Sequence, residues 1–163
     1  MPLGRQRCTR RDDHTADPPA KPAELNQDQC SYSPRVQAIV AGQTMLIKNS
    51  DPVLHNVREI KGALTKKNMA QVPGTPPVAE QDLKDPGMMK FKCDIHQWMT
   101  AYVWVQSNDA FAVTDKDGKF EISGVPVGTW EVTAWHERFG EKNGKITVAK
   151  DKPAEIKLEL AAK

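Results

Sequence analysis

The chain has 163 residues, of which 39% are hydrophobic and 27% are charged, and its formal net charge is +2. These values are typical of a globular protein with one ordinary domain or two small ones. The sequence lacks the basic face or stripe that nucleic-acid binding needs and the run of about 20 apolar residues that predicts a membrane span. We therefore expect neither nucleic acid nor a membrane span in its function.

Residues 1–22 are rich in charge and proline, a composition that predicts a disordered leader. They carry arginines but lack the apolar run that an export signal requires. We therefore expect either that the true start of the protein lies upstream or that this sequence is a mature or engineered fragment. Cys8 lies in this leader and Cys30 follows it. These two cysteines could pair with each other, although their spacing does not decide this.

From residue 36 the pattern becomes β. Residues 36–40 and 44–48 flank Ala41-Gly42-Gln43, which predicts a hairpin connection. His55 then follows a turn that contains Pro52 and opens an apolar stretch. Residues 61–87 hold seven glycines and prolines that interrupt every periodic run, so we expect an irregular segment with one short strand around residues 78–81.

Residues 88–92 and 101–105 are predicted strands, and the stretch CDIHQWM at 93–99 forms the loop between them. Met89, Phe91 and Cys93 alternate with two lysines, which predicts that Cys93 points into the core. The loop carries a thiol at Cys93, an imidazole at His96 and a thioether at Met99. Soft sulfur ligands combined with imidazole favour copper, and thioether is rarely used in zinc sites.

A mononuclear electron-transfer copper site needs two histidines, one cysteine and a weak axial methionine. The loop offers three of these four ligands, and His55 is the best candidate for the fourth, since His14 lies in the polar leader and His136 near the C-terminus. The predicted metal ligands are therefore His55, Cys93, His96 and Met99. Met88 or Met89 is the next candidate for the axial position, and Cys30 is expected to lie outside the ligand set.

This pattern resembles the cupredoxins, the small blue copper proteins, over roughly residues 36–106. Their early His-Asn pair corresponds to His55-Asn56, and their late Cys, His and Met correspond to Cys93, His96 and Met99. The Cys-to-His spacing is that of the plastocyanin and pseudoazurin branch. The two residues between His96 and Met99 match instead the dinuclear copper-A domains, whose second loop cysteine is absent here.

The cupredoxin resemblance implies roles for three further residues. Asn56 would steady the ligand loop by hydrogen bonding, the alternative being a turn or cap residue. His96 would turn its ring edge toward solvent, so Gln97 and Trp98 would form the docking surface for redox partners. The alternative for Trp98 is a residue of the core.

The C-terminal part is predicted to consist of strands alone. Residues 111–115 and 119–122 flank an Asp117-Gly118 turn, the signature of a hairpin. Strands are also predicted at 129–135, 146–148 and 154–160, with a turn at Asn143-Gly144. An EF-hand calcium loop is rejected because Val113, which cannot bind a metal, would occupy its first position.

This part resembles the carboxypeptidase regulatory-like, or transthyretin-like, β-sandwich module through residues 114–120 (TDKDGKF), 125–128 (VPVG) and 130–132 (WEV). The expected organisation is a disordered leader over 1–22, a cupredoxin copper-binding domain over 23–108 and this module over 109–163. The fold class is therefore all-β, a cupredoxin Greek-key β-sandwich followed by a small transthyretin-like sandwich. The combination resembles bacterial exported proteins, some of them methylamine-utilisation-like.

The predicted function is single-electron transfer between redox partner proteins, a cytochrome or an oxidoreductase, through copper that cycles between Cu(I) and Cu(II). We expect a carrier and not an enzyme, and the resemblance implies a periplasmic or other extracytoplasmic location. Copper storage or delivery is one alternative. A metal-free structural or adhesion β-sandwich is the other.

Overall fold

The computed structural model describes residues 15–161 and the backbone of the strand Arg5–Thr9. Within this part of the chain there is no helix, so the all-β prediction is confirmed, and consequently no helix could cross a membrane. The chain divides into two compact units. One comprises residues 15–109. The other comprises residues 110–161 and the strand Arg5–Thr9, so the division falls one residue from the predicted boundary.

Two sheets form the first unit. A five-stranded sheet has the order β4 (Val36–Val40), β10 (Thr100–Gln106), β9 (Gly87–Lys92), β6 (His55–Lys61) and β7 (Leu64–Gln71). A four-stranded sheet has the order β3 (Ser31–Ser33), β2 (Ala23–Asp28), β5 (Met45–Asn49) and β8 (Val78–Glu80). Buried side chains from both sheets form one core cluster, among them Leu25, Ile47, Val57 and Phe91. The unit is therefore a β-sandwich.

The strand β7 replaces much of the irregular segment predicted over residues 61–87. Most of its side chains are exposed, so the sequence shows none of the alternating apolar residues that mark a half-buried strand. Its pairing with β6, from His55 opposite Gln71 to Lys61 opposite Leu64, creates the strand. The predicted strand around residues 78–81 is present as β8.

The second unit contains one four-stranded sheet. Its order is β11 (Phe111–Ala112), β1 (Arg5–Thr9), β12 (Gly128–His136) and β13 (Gly140–Val148). The prediction of a disordered leader is therefore wrong for residues 5–9, whose backbone pairs with β11 and β12. Residues 1–4 and 10–14 lie outside the described residues, and residues 15–22 form no strand.

Three further predictions for this unit differ from the structure. The Asp117-Gly118 turn is present, since the amide of Asp115 donates to the carbonyl of Lys119 at 2.9 Å, but residues 119–122 form no strand. The turn predicted at Asn143-Gly144 lies inside β13. The strand predicted at 154–160 is absent from the described residues. Ile156 and Leu158 instead pack on the core around Trp130 and Val132.

A buried acidic pair lies in the first unit. Glu59 is 3% exposed and Glu80 is 1% exposed, and Lys67 forms an ion pair with Glu80. Burial and the neighbouring carboxylate of Glu80 raise the pKa of Glu59 to about 7. For Glu80, burial is the largest single effect and opposes ionisation, but the hydrogen bonds from Lys67, from the amide of Asp82 and from Glu59 together outweigh it and lower the pKa. The pair therefore holds a proton on Glu59 in weakly acidic solution.

The raised pKa of Glu59 makes the free energy of unfolding depend on pH. The pKa of Glu59 is higher in the folded than in the unfolded chain, so its contribution is complete below about pH 4.5 and is lost as the pH rises through about 7. The wild type should lose unfolding free energy between pH 5 and pH 8. We expect this loss to be smaller in Glu59→Gln by on the order of 2 kcal/mol. Urea unfolding of the metal-free protein at both pH values measures this difference.

The matched control is Glu24→Gln, since Glu24 is exposed and forms a surface ion pair with Lys48. It should retain the wild-type pH dependence. If the unfolding free energy changes equally between pH 5 and pH 8 in Glu59→Gln and in the wild type, Glu59 titrates as an ordinary carboxyl group.

Candidate metal centre

The topology of the five-stranded sheet gathers the predicted ligands at one end. His55 is the first residue of β6, and Cys93 directly follows β9. These strands are antiparallel neighbours, with Arg58 opposite Lys92, so the start of β6 lies beside the end of β9. The loop of residues 93–99 then leads into β10 and carries His96 at the same end.

The three donor atoms lie at distances that suit one metal ion. The Nδ1 atoms of His55 and His96 are 2.9 Å apart, and the Sγ atom of Cys93 lies 3.9 Å from the first and 3.8 Å from the second. Bonds of about 2.0–2.1 Å to nitrogen and about 2.3 Å to sulfur, the values of zinc sites, separate sulfur and nitrogen by about 3.8 Å around a trigonal metal. Thiolate and imidazole together are also ligands that copper accepts. The residues present therefore fit a copper ion.

Met99 is a residue of the core. It is 1% exposed and belongs to the same apolar cluster as Cys93. Its amide donates to the carbonyl of His96 at 2.9 Å, and its carbonyl accepts from the amide of Cys93 at 3.4 Å. The backbone of Met99 thus closes the ligand loop, whereas the role of its sulfur as an axial donor stays a prediction.

Asn56 joins β6 to the ligand loop. Its Oδ1 atom accepts the amide of Asp94 at 2.6 Å and lies 3.4 Å from the Sγ atom of Cys93. Its Nδ2 atom donates to the carboxylate of Asp94 at 2.9 Å, and Arg58 pairs with the same carboxylate at 3.1 Å. The amide of His96 also points at the Cys93 sulfur from 3.4 Å. These contacts link Asn56 to the ligand loop, and its role in steadying that loop stays a prediction.

Asp51 is a site residue that the sequence analysis missed. Its Oδ2 atom lies 2.7 Å from the Nε2 atom of His55. Burial opposes the ionisation of Asp51, but hydrogen bonds from the amide of Cys30, from His55 and from the amide of Gln29 outweigh it, so its pKa lies below the usual value. An ionised Asp51 accepts a hydrogen bond from the Nε2–H group of His55 and so leaves the Nδ1 lone pair free for a metal.

The signal for Asp51 was present but weak. The residue stands four positions before His55 in the segment Asn49-Ser50-Asp51-Pro52, and its own amide donates to the side chain of Asn49 at 3.0 Å. Such a segment predicts a turn, and a turn residue does not reveal by its type that it also orients a histidine.

Tyr32 is a second residue that the sequence analysis missed. Its side chain is 4% exposed, and its hydroxyl donates to the carbonyl of Asn56 at 3.0 Å. Burial raises the pKa of Tyr32, and the nearby Cys93 and Asp94 raise it further. The phenol therefore remains a neutral hydrogen-bond donor beside the site.

Cys30 lies much closer to the site than expected. One ligand atom each of Cys30, His55 and His96 lies within 4.8 Å of the other two. Cys30 and Cys93 both carry free thiols. The side chain of Cys8 lies outside the described residues, so its pairing with Cys30 is not described by the structure.

The surface beside His96 is apolar. Trp98 is 66% exposed, which excludes the core alternative, and its ring centre lies 5.4 Å from that of the half-buried His96. Gln97 is exposed as well. Ile95, on the loop of His96, and Leu54 and Val53, directly before His55, are 51%, 44% and 41% exposed.

Comparisons with known proteins bear on both units. Residues 99–161 match the family model of the carboxypeptidase regulatory-like domain. A comparison with curated proteins found no match. Among solved structures, the chain is similar to amicyanin from Paracoccus versutus, with 19% identity, a TM-score of 0.46 and coverage of 61% of this chain and 98% of that one.

Two other solved structures are similar to a comparable extent. A purple cupredoxin from Nitrosopumilus maritimus has 20% identity, a TM-score of 0.42 and coverage of 52% of this chain and 99% of that one. A copper-containing nitrite reductase from Thermus scotoductus SA-01 has 21% identity and a TM-score of 0.47. In that case the match covers 53% of this chain but only 22% of the reductase.

Proposed function

We propose that the unit of residues 15–109 binds one copper ion through His55, Cys93 and His96 and carries single electrons between redox partner proteins. The observation that supports this most is the assembly of one sulfur and two Nδ1 atoms, 2.9–3.9 Å apart, at one end of the sandwich. Met99 is proposed as the weak axial donor, since it lies in the same buried cluster as Cys93.

Copper would supply the redox change between Cu(I) and Cu(II), and the residues around it would keep the geometry constant. Asp51 fixes the tautomer and the ring orientation of His55, while Asn56 and Asp94 restrain the loop that carries Cys93 and His96. Ligands that move little when the charge changes lower the reorganisation that accompanies each electron. Hydrogen bonds to the residues around a metal site are a general means of obtaining such rigidity.

The proposed ligands differ in how deeply they are buried. His55 is 0% exposed and Cys93 is 1% exposed, so a substrate reaches neither of them, whereas the half-buried His96 lies next to the surface. This arrangement suits an electron carrier better than an enzyme. A location outside the cytoplasm belongs to the proposal through the resemblance to cupredoxins.

The test is the absorption and spin-resonance spectrum of the copper-loaded protein. An electron carrier should show an intense visible band with Cu(II) that bleaches on reduction and returns on reoxidation. A storage or delivery protein should prefer Cu(I) and release it to a chelator, and a purely structural sandwich should bind neither ion. Absence of the band at full copper loading contradicts the proposed function.

The apolar surface around Trp98 is the proposed docking site for the redox partner. We expect Trp98→Ala to slow electron transfer to a soluble c-type cytochrome about tenfold, which corresponds to about 1.4 kcal/mol. The physical reason is the loss of a large exposed aromatic side chain, the type of residue that dominates binding at protein interfaces. Stopped-flow oxidation at several cytochrome concentrations measures the second-order rate constant.

Two controls separate docking from damage to the site. Oxidation by ferricyanide, which needs no protein interface, measures any change at the site itself in Trp98→Ala, such as the loss of the indole contact with the Cys30 carbonyl; the cytochrome reaction should be slowed more than the ferricyanide reaction. Leu64→Ala removes a side chain that is 69% exposed at the other end of the β6–β7 hairpin, about 20 Å along the strand from His55, and should not slow the cytochrome reaction. Equal cytochrome rates in Trp98→Ala and the wild type would place the docking surface elsewhere.

A further inference from the structure

The turn between β2 and β3 is built around the candidate metal centre. Gln29 and Cys30 have φ values of 53° and 50°, in the left-handed region that residues other than glycine rarely adopt. Their amides donate to Asp51 at 2.7 and 2.9 Å, and Asp51 also holds His55. One carboxylate therefore positions both a histidine ligand and the backbone of Cys30.

A second contact ties the same turn to the ligand loop. The indole Nε1 atom of Trp98 donates to the carbonyl of Cys30 at 2.9 Å. Cys30 is thus fixed from two sides, through Asp51 on the His55 side and through Trp98 on the His96 side. Its side chain is half-buried and packs against the core cluster that contains Cys93.

The position of the sulfur fits a ligand of the same metal. A ligand atom of Cys30 lies within 4.8 Å of a ring nitrogen of both His55 and His96. A sulfur and a nitrogen bound to one metal at about 2.3 and 2.1 Å lie about 3.6–3.8 Å apart at tetrahedral or trigonal angles. A shift of no more than about 1 Å therefore brings Cys30 into the coordination shell.

We propose that the thiolate of Cys30 is a further ligand of the copper site, in addition to Cys93, His55 and His96. This inference rests on the proposed function, since it concerns the same metal. It supplies from a distant turn the second thiolate that the loop of residues 93–99 lacks. On binding, copper replaces the S–H proton of Cys30, and this proton passes to solvent.

A second thiolate has a consequence for the redox balance. Its negative charge stabilises Cu(II) more than Cu(I), so it lowers the reduction potential. Replacing Cys30 with serine should therefore raise the reduction potential. A tenfold change in the ratio of the affinities for Cu(II) and Cu(I) corresponds to about 59 mV for one electron. Because Cys93 remains, the variant should still bind copper and show a visible band, at a shifted position.

X-ray absorption of the Cu(I)-loaded protein counts the ligands directly. We expect two short copper–sulfur bonds in the wild type and one in Cys30→Ser, together with a higher reduction potential and one proton fewer released on loading. Ser31→Ala is the matched control, since it alters the same turn and removes only a hydroxyl with a 3.4 Å contact to the carbonyl of Gln29. It should behave as the wild type.

The result that overturns the proposal is a single short copper–sulfur bond in the wild type and in Cys30→Ser alike, with equal potentials. That result leaves the proposed function intact, because Cys93 alone then provides the thiolate. Absence of copper binding and of a visible band in the wild type removes both proposals. Far-UV circular dichroism of the metal-free Cys30→Ser protein verifies that the sandwich is folded.

Discussion

Replacing Cys93 with serine is expected to remove the part of the intense visible band that arises from Cys93 and to weaken copper binding, while the β-sandwich stays folded; a band that remains would come from the Cys30 thiolate. The band depends on charge transfer from a thiolate to Cu(II), and a hydroxyl cannot provide it. Serine has nearly the size of cysteine, so the buried position between β9 and the ligand loop is not overfilled. Absorption at equal copper loading and far-UV circular dichroism measure the two effects separately.

Lys92→Ala is the neighbouring control. Lys92 is the last residue of β9 and directly precedes Cys93, and its side chain points to the other face of the sheet. It should keep the full band. The expected outcome for Cys30→Ser is different, because that variant retains Cys93 and should shift the band without abolishing it. An unchanged spectrum in Cys93→Ser would falsify the assignment of Cys93 as the principal thiolate ligand.

Replacing Asp51 with asparagine is expected to lower the affinity for copper about 10- to 100-fold, the usual cost of losing a residue that orients a metal ligand. The Asp51 carboxylate accepts from the amides of Gln29 and Cys30 and from the Nε2 atom of His55. An asparagine offers one acceptor and one NH₂ donor in place of two acceptors. The NH₂ group of the asparagine must then face at least one of the N–H groups that now donate to Asp51. If it faces His55, the contact that keeps the proton of His55 on Nε2 is lost.

Competition with a chelator of known affinity measures this effect on both Cu(I) and Cu(II). Asp28→Asn is the matched control, because Asp28 is exposed at the end of β2 and its replacement removes the same charge nearby. It should change the affinity little. An affinity of Asp51→Asn within twofold of the wild type would show that the tautomer of His55 is fixed without this carboxylate.

Much of the first unit could be predicted from local patterns. The strand at residues 36–40 has the bounds of β4, and the strands predicted at 88–92 and 101–105 each gain residues in β9 and β10. The strands β9 and β10 alternate over most of their length between buried and less buried side chains, and such alternation is visible in sequence. The same pattern indicated that Cys93 points inward, and the structure buries it.

Other elements form only because a partner strand is present. The strand β7 has mostly polar, exposed side chains, so its pairing with β6 and not its composition produces it. The strand Arg5–Thr9 comes from a charged leader and is completed by β11 and β12. In both cases hydrogen bonds to neighbouring strands outweigh a weak local preference.

The candidate site shows the same division. Cys93 and His96 lie within one loop, and His55 opens a strand, so their residue types and spacing sufficed to predict that these three donors lie together. Asp51 and Cys30 are 21 positions apart in the chain, and no local pattern relates them. Parallel pairing of β2 with β5, with Gln27 opposite Asn49, places the ends of both strands side by side. That long-range register is the physical reason why Asp51 meets both His55 and the turn of Cys30.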